Sequence, residues 1–198
     1  MTFLLATRNR KKRAELRRLL KGIPVRLLTL DQFQDIPPIS EDRPTLRGNA
    51  VKKAVVTSRH TILPVLADDS GLQVRVLGGR PGIRSARFAG PAHNDWANNE
   101  KLLRILKGIP VSKRKAQFVC WIAVAVGGRL IRTFEGQCAG SIGFVPRGRR
   151  GFGYDPLFIP RGSRRTMAQL SAGAKDRCSH RGRAAAKLKR GLKTKIDL

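Results

Sequence analysis

The feature of this sequence that most constrains its fold is a pair of adjacent aspartates at the end of an apolar run. Residues 62–66 are largely apolar, and Asp68 and Asp69 follow them, before Ser70 and Gly71. The chain carries 41 Lys and Arg residues against 13 Asp and Glu residues, so two neighbouring carboxylates, which repel each other, need a reason. A strand that ends at the acids, with a Ser-Gly turn after it, would place both carboxylates where open α/β sheets bind ligands. The pattern predicts either a divalent-cation site or an ordinary surface turn, and does not decide between them.

Length and net charge set the broad class of the protein. A chain of 198 residues suits one domain with an ample core, and we predict a single domain over 1–198 with a basic tail over about 189–198. The formal net charge of +28 fits either nucleic-acid binding or a compositional drift toward arginine. Because the basic residues are spread along the whole chain, without a basic segment studded with aromatics, we predict only weak and non-specific contact with nucleic acid.

The cysteines and the N-terminus indicate a cytoplasmic protein. Cys120, Cys138 and Cys178 are few, odd in number and widely spaced, a pattern that fits neither a disulfide framework nor a zinc site. The apolar residues 2–6 precede a run of arginines and lysines, which reverses the order of a secretory signal. The longest apolar stretch, residues 118–126, is about half as long as a membrane-spanning helix, so we expect no membrane span.

Hydrophobic periodicity predicts an α/β fold with a mixed central sheet flanked by helices. The expected strands are residues 3–6, 25–30, 62–66, 72–76, 116–126, 129–136 and 141–145. The expected helices are residues 11–20, 49–60, 96–106 and 179–188, with a short helical piece at 167–170 and a tail that frays from about 187. A hairpin across Gly127 and Gly128 makes its two strands antiparallel, so the sheet must be mixed.

The turn between the first strand and the first helix is a candidate phosphate site. Residues 7–10 lie at a helix N-terminus, where free backbone N–H groups and the helix dipole favour an anion. The sequence equally allows Thr7 and Asn9 to be ordinary helix caps. Lys52 and Lys53 fall in the first turns of the next expected helix, where positive charges interact unfavourably with the helix dipole. A bound anion would offset this repulsion.

A turn rich in glycine and aromatic residues is a candidate base-binding element. In residues 151–156, two glycines let the backbone approach a ligand, the aromatics can stack on a base, and Asp155 can accept hydrogen bonds from ring N–H groups. From this turn alone a structural role is favoured. Near the last helix, Lys175, His180 and Arg181 can hold phosphate oxygens or a purine carbonyl, although a lone histidine is more often structural.

Taken in order, these motifs resemble the inosine triphosphatase family, pyrophosphatases that act on non-canonical purine nucleoside triphosphates. The resemblance runs from Phe3 to about Leu188. Each motif alone is weak, but the ordered set is specific. Its motifs are Leu5-Ala6-Thr7 with Asn9 and Lys12, Asn49-Ala50 with Lys53-Ala54, Leu63-Pro64, Ala67-Asp68-Asp69-Ser70-Gly71-Leu72, Gly78-Gly79, Pro81-Gly82, Ser85-Ala86-Arg87, Gly151-Phe152-Gly153-Tyr154-Asp155-Pro156, and Lys175 with Ser179-His180-Arg181-Gly182.

The resemblance implies hydrolysis of ITP, dITP or XTP to the monophosphate and pyrophosphate with Mg²⁺, which Mn²⁺ could replace. It also implies two lobes around a nucleotide-binding cleft, usually in a homodimer. Asp69 is then the expected catalytic residue, which accepts the proton of the attacking water, and Asp69 and Asp68 are the expected metal ligands. The expected substrate-binding residues are Thr7, Arg8, Asn9, Arg10, Lys11, Lys12, Lys53, Ser70, Phe152, Gly153, Tyr154, Asp155, Lys175, His180 and Arg181.

Two positions depart from the family pattern. Arg8 stands where relatives usually carry glycine, and Gly48 stands where they carry a glutamate that helps to bind the metal. The change at Gly48 predicts weakened Mg²⁺ binding, with Glu41 and Asp42 as the nearest acids in sequence. It also leaves a second hypothesis open, a catalytically weakened or inactive relative that binds nucleotides or polyanions such as nucleic acid.

Overall fold

A six-stranded mixed sheet is the framework of the chain, which a computed structural model describes over residues 1–33 and 35–194. The strand order is β2-β1-β3-β4-β5-β6; β1 pairs in parallel with β2 and β3, and β5 pairs with β6 in antiparallel. The mixed sheet that the sequence predicted is therefore confirmed. The strands are β1 (Thr2–Leu5), β2 (Arg26–Thr29), β3 (Val65–Val74), β4 (Lys115–Val126), β5 (Arg129–Ile142) and β6 (Phe158–Pro160).

Polar side chains fix where several helices begin. In each case a side-chain oxygen accepts a hydrogen bond from a backbone N–H group in the first turn of the helix that follows. The residues that do so are Asn9, Thr45, Asn94 and Ser171. Within the described ranges, no helix is long and apolar enough to cross a membrane. The helices are α1 (Arg10–Leu19), α2 (Leu46–Thr57), α3 (Asp95–Ile105), α4 (Ala172–Cys178) and α5 (His180–Lys193).

The chain divides into two compact units. The first comprises Met1–Asp69, Cys120–Gly136 and the described part of Arg181–Leu198, and the second comprises Ser70–Val119 and Gln137–His180. The chain therefore passes from one unit to the other directly after Asp69 and directly after His180. Both of these points fall inside motifs that the sequence singled out.

In the first unit, alternate strand residues pack on opposite faces of the sheet. Leu5 and Leu66 belong to a buried cluster with residues of α1 and α5, whereas Leu4 and Ala67 belong to a cluster with residues of α2. Side chains alternate along a strand, so Asp68 continues the face of Leu66 and Asp69 continues the face of Ala67. The two aspartates are thereby directed toward different helices.

The second unit has its own apolar core. Leu72 of β3 packs there with Leu102 of α3, and the rings of Phe118 and Phe158 lie 4.6 Å apart in a tilted arrangement. Tyr154 belongs to the same cluster. This core therefore anchors the glycine- and aromatic-rich turn from beneath.

Strand β3 differs from the sequence-based expectation, which placed a turn at Ser70 and Gly71. The structure shows one continuous strand, with Ser70 half-buried inside it. Gly71 is required for close approach rather than for a turn, because a Cβ there would lie 2.3 Å from the carbonyl oxygen of Gly82. The parallel register of β1 with β3 ends at the pair Leu5 and Leu66, so the aspartates lie just beyond the end of β1.

Other element boundaries also needed correction. Strand β5 continues to Ile142 and so includes the first two residues of the expected strand 141–145, and the sequence did not predict β6 or α4. Helix α2 begins at Leu46, so Lys53 lies well inside it, and the expected conflict between its charge and the helix dipole does not arise. Helix α5 continues through Lys193 where fraying was expected, because Leu192 packs against the core. Residues 195–198 of the expected basic tail lie outside the described residues.

Candidate functional site

Asp68 is fully buried and surrounded by cations. Its Oδ2 accepts a hydrogen bond from Nε of Arg181 at 3.2 Å and lies 3.3 Å from Nζ of Lys12. Its backbone carbonyl accepts a hydrogen bond from Nζ of Lys53 at 2.7 Å. Burial by itself raises the pKa of Asp68, but the charges of Lys12, Arg181 and Lys53 outweigh burial and hold that pKa far below its ordinary value. Asp68 is therefore an ionised partner for these cations at neutral pH.

Asp69 is also buried, but its acid–base character is different. Its Oδ1 lies 3.9 Å from Nζ of Lys12 and 3.9 Å from Nζ of Lys53. Burial is the largest influence and raises the pKa of Asp69, and the negative charges of Glu41 and Asp68 add to this, while the lysines oppose it. A carboxyl with a raised pKa is a stronger base when ionised, which suits a group that must accept a proton.

Glu41, which the sequence analysis named only as one of the acids nearest to Gly48, joins this group. Its Oε1 accepts a hydrogen bond from Nζ of Lys53 at 2.6 Å. Burial alone would lower the pKa of Lys53, but the charges of Asp69, Glu41 and Asp68 raise it, so Lys53 stays protonated. The scarcity of acids in this chain, which singled out Asp68 and Asp69, would have singled out Glu41 as well.

The acids of the first unit fit a divalent cation that arrives with a phosphate. Among the described residues, no group of three or more His, Cys, Asp or Glu side chains is placed to hold a metal ion by itself. Mg²⁺ needs only one or two protein carboxylates when phosphates and waters complete its shell. Asp69 and Glu41 provide hard oxygens around Lys53, and Oδ1 of Asp68 is buried without a hydrogen-bond partner in residues 1–33 and 35–194.

Gly48, the departure from the family pattern, lies in the first turn of α2. Its backbone N–H donates to Oγ1 of Thr45, the residue that caps the helix. A Cβ at Gly48 would lie 3.0 Å from Cβ of Arg43 and 3.0 Å from Oγ1 of Thr45, so a side chain here is crowded but not excluded by a positive φ. Glu41 supplies a carboxylate close to Asp69, which weakens the expectation that the site lacks one.

The structure shows helix capping in the turn before α1. Oδ1 of Asn9 accepts the backbone N–H groups of Lys11 at 3.0 Å and Lys12 at 3.1 Å, and Oγ1 of Thr7 accepts the N–H of Asn9. The guanidinium of Arg8 donates to the carbonyl of Ile36. The side chains of Asn9 and Thr7 thus cap the helix, and Arg10 and Lys11 are exposed to solvent. The side chain of Lys12, in the first turn of α1, reaches the carboxylates of Asp68 and Asp69.

In the second unit, a buried ion pair closes the turn that begins at Gly151. Oδ2 of Asp155 accepts the N–H of Phe152 at 2.9 Å and Nζ of Lys175 at 2.5 Å. Gly151 has φ of +77°, and a Cβ on it would lie 2.0 Å from Oδ2 of Asp155. Only glycine therefore permits this turn to close on Asp155.

Tyr154 and Asn99 hold the same turn at two further points. Tyr154 is 3% exposed, and its hydroxyl donates to the carbonyl of Ser85 at 2.9 Å. The expectation that both aromatics of the turn could stack on a base is therefore wrong for Tyr154, whereas Phe152 remains half-buried. Asn99 donates to the carbonyl of Gly153 at 2.8 Å, a contact without any signal in the sequence.

His180 and Arg181 are consecutive, but they belong to different units. The ring of His180 stacks on Phe118 in the second unit, with centroids 4.6 Å apart and an interplanar angle of 11°. The guanidinium of Arg181 contacts Asp68 and Glu15 in the first unit. The sequence analysis grouped Lys175, His180 and Arg181 as residues that can hold phosphate oxygens or a purine carbonyl, whereas the structure places Arg181 in contact with the carboxylates of Asp68 and Glu15.

Comparison with known proteins identifies the family. The sequence profile of the Ham1 family matches residues 3–191. A protein of Geobacter sulfurreducens named dITP/XTP pyrophosphatase is 48% identical over 94% of this chain and 94% of its own length. One of Syntrophobacter fumaroxidans with the same name is 48% identical over 94% of this chain and 80% of its own length. The structure of a HAM1 protein from Coxiella burnetii matches with a TM-score of 0.89 at 35% identity, over 98% of this chain and 100% of that one. These matches confirm the resemblance seen in the motifs, and the chain belongs to the Ham1 family.

Proposed function

We propose that the protein hydrolyses the non-canonical purine nucleoside triphosphates ITP, dITP and XTP to the monophosphate and pyrophosphate. Its relatives at 48% identity carry the name dITP/XTP pyrophosphatase. The observation that carries the proposal is the buried carboxyl of Asp69, whose pKa is raised and which faces the ammonium groups of Lys12 and Lys53. No finding favours the alternative of an inactive relative that only binds nucleotides or polyanions.

The first unit is proposed to bind the triphosphate. The carboxylate of Asp68 holds Lys12, and the backbone carbonyl of Asp68 and the carboxylate of Glu41 hold Lys53, so both cations need little rearrangement to meet a phosphate. Arg8, Arg10 and Lys11 are exposed on the adjoining turn and add positive charge there. Thr7 and Asn9 are proposed to shape the turn and to contact the phosphates through its backbone.

Asp69 is proposed to act as the general base. It accepts a proton from the water that attacks the α-phosphorus, the bond from that phosphorus to the bridging oxygen breaks, and pyrophosphate leaves with the electron pair. Lys12 and Lys53 offset the negative charge that develops on the leaving phosphates. The raised pKa of Asp69 brings its basicity closer to what proton transfer near neutral pH requires.

Asp69 and Glu41 are proposed to hold a Mg²⁺ ion, with Mn²⁺ as a substitute. When bound, such an ion offsets phosphate charge and lowers the pKa of bound water. Asp68 was expected to be a ligand too, but its Oδ2 already meets Arg181 and Lys12. We therefore assign Asp68 chiefly to holding these cations.

The second unit is proposed to recognise the base. Phe152 can stack on a purine, and the backbone near Gly153, which Asn99 fixes, offers hydrogen-bonding groups at its edge. Lys175 and His180 supply donors suited to a 6-oxo group. A 6-amino group would leave buried donors unpaired, which is how such a site rejects ATP.

The assembly and location of the protein are further proposals. The family resemblance supports a homodimer, which sedimentation equilibrium would test, and the match over residues 3–191 supports a single functional domain. Cys120, Cys138 and Cys178 form no disulfide within residues 1–33 and 35–194, and the cytoplasm is the proposed location. Binding to nucleic acid is expected to be weak and to vanish near physiological salt, at about 0.15 M, because dispersed surface cations are screened there.

A pyrophosphate-release assay with Mg²⁺ tests the function. ITP, dITP and XTP should yield pyrophosphate, with ATP and GTP much poorer, whereas release of orthophosphate alone would contradict the proposed bond cleavage. The Asp69→Asn variant should lose turnover by roughly 10²-fold or more, the scale of general-base catalysis. Asp31→Asn, the same change at an exposed acid paired with Arg13, is the matched control and should keep full activity.

A further inference from the structure

Arg181 connects three elements of the first unit. It follows His180 at the start of α5, it is 1% exposed, and it ranks among the largest fully buried side chains of the chain. Its Nη1 atom donates to Oε2 of Glu15 on α1 at 2.6 Å. Its Nε and Nη2 atoms lie 3.2 Å and 3.1 Å from Oδ2 of Asp68 on β3. One guanidinium thus ties α1, β3 and α5 together.

Glu15 has no evident part in binding phosphates. It is 8% exposed and lies on the buried face of α1, beside Leu16 of the core cluster. Its negative charge would repel a triphosphate, and its carboxylate contacts Arg181. Lys12 precedes it by one helical turn on the same face of α1 and contacts Asp68 directly. The four side chains form an alternating arrangement of two acids and two cations.

Stability alone does not explain such an arrangement. Taking charged groups out of water is costly, and well-packed apolar residues in their place are often neutral or stabilising. A role other than stability must therefore account for these buried charges. The geometry offers one, because the cations hold Asp68 in place and Asp68 directly precedes Asp69 in the chain.

We propose that Glu15 is a positioning residue for the hydrolysis, acting through Arg181 on Asp68 and so on the backbone that carries Asp69. This inference rests on the proposed function. Arg181 contacts the carboxylates of both Glu15 and Asp68, and Glu15 fixes the orientation of its guanidinium so that Nε and Nη2 stay directed at Asp68. Without the Glu15 charge, Arg181 turns from Asp68, and the adjoining Asp69 loses its alignment with the attacked phosphorus.

The Glu15→Gln variant tests the inference because it keeps the shape of the side chain and removes its charge. We expect kcat for ITP to fall by roughly 10- to 100-fold, the cost of a misplacement of about 1 Å at the reacting centre. KM for ITP should stay within about threefold, because Glu15 does not touch the substrate. The Kd of a non-hydrolysable α,β-methylene analogue of ITP, measured calorimetrically, should also be unchanged. Glu100→Gln, the same change at an exposed position of α3, should leave kcat, KM and Kd at their wild-type values.

A double-mutant cycle separates positioning from a purely structural role. Arg181→Lys combined with Glu15→Gln should lower kcat little more than the worse single variant, because both act on Asp68 as one unit. Unchanged kcat in a folded Glu15→Gln protein, whether or not its melting temperature falls, would overturn the inference. So would an equal loss of analogue binding and kcat. If Glu15→Gln does not fold, Glu15→Met, which also removes the charge at a similar side-chain size, replaces it, with the same readouts and the same contradicting results.

The wild-type protein keeps this test distinct from that of the function. If wild type releases no pyrophosphate from ITP, XTP or dITP, the proposed function fails. If wild type is active and Glu15→Gln is equally active, the function stands and the positioning role fails.

Discussion

Asp68 and Asp69 are neighbours in the chain, but they continue opposite faces of β3, and the pKa values of their carboxyl groups shift in opposite directions. Asp68 faces the side covered by α1 and α5, from which Lys12 and Arg181 reach it. Asp69 faces the side covered by α2, which carries Lys53. The alternation of a strand thus gives two identical residues two roles, one as a fixed anion and one as a base.

The opposite shifts predict opposite effects on stability when each charge is removed at neutral pH. Asp68→Asn leaves Arg181 and Lys12 without their buried partner and should lower the free energy of unfolding by roughly 3–5 kcal/mol. Asp69→Asn should not lower it, because burial disfavours the charge of Asp69 in the folded state. Urea titrations of the two variants beside wild type measure this. Equal losses in both variants would show that the two carboxylates have equivalent surroundings.

The same shifts predict how stability depends on pH. The folded-state pKa of Asp68 is lowered, so its contribution is fully present above the ordinary pKa of about 3.9 and is lost as pH falls through the folded-state value. The folded-state pKa of Asp69 is raised, so its penalty is absent below about 3.9 and appears as pH rises through the folded-state value.

Melting curves of wild type and both variants between about pH 3 and 8 test these signs. The deficit of Asp68→Asn should shrink toward low pH, and any gain of Asp69→Asn should disappear there. A deficit of Asp68→Asn that grows toward low pH would contradict the assignment. Asp35→Asn, the same change at an exposed acid outside the site, controls for general acid effects on the fold.

Local patterns allowed the sequence to predict much of this fold and part of its site. The consecutive glycines Gly127 and Gly128 predicted the hairpin of β4 and β5. Their φ values of +53° and +80° are those that its two-residue turn requires. Asn9 and Thr7 were recognised as potential caps, and the structure shows them in that role. Such features depend on neighbours in the chain, which a sequence displays directly.

Long-range contacts were not predictable in the same way. Arg181 meets Asp68 across 113 positions and Glu15 across 166, and no local pattern encodes either meeting. The continuity of β3 through Ser70 and Gly71 was hidden because Ser-Gly is ordinary turn chemistry. The strand continues there because Gly71 approaches the backbone of Gly82 closely, which is a tertiary contact.

Restoring a carboxylate at Gly48 should change the Mg²⁺ requirement little. Glu41 already contacts Lys53, and its charge raises the pKa of Asp69, so Gly48→Glu adds a second acid to a site that already has one. Glu41→Gln, in contrast, should raise the Mg²⁺ concentration for half-maximal activity with ITP. Gly48→Ala is the control for crowding against Arg43 and Thr45. A marked fall in the Mg²⁺ requirement of Gly48→Glu alone would show that this chain does lack a metal-binding acid.

Gly151 and Gly162 offer a matched pair for testing the turn that is proposed to bind the base. Their φ values are +77° and +80°, so alanine at either position brings a similar backbone strain of about 1 kcal/mol. They differ in space, because a Cβ on Gly151 would meet Oδ2 of Asp155 at 2.0 Å, whereas no atom of the described residues lies within 4 Å of one on Gly162. Gly151→Ala must therefore displace Asp155 from Phe152 and Lys175, whose contacts with Asp155 shape the turn.

Kinetics with ITP should separate the two glycine variants. We expect Gly151→Ala to raise KM by about 10-fold or more, since the loss of a charge-assisted hydrogen bond is worth roughly 1.5–3 kcal/mol. Gly162→Ala should keep the wild-type KM even though its melting temperature falls. Its fall in melting temperature shows how much backbone strain alone contributes. If both variants raise KM equally, strain rather than the Asp155 contact governs the turn, and Asp155 and Lys175 have no special part in holding the base.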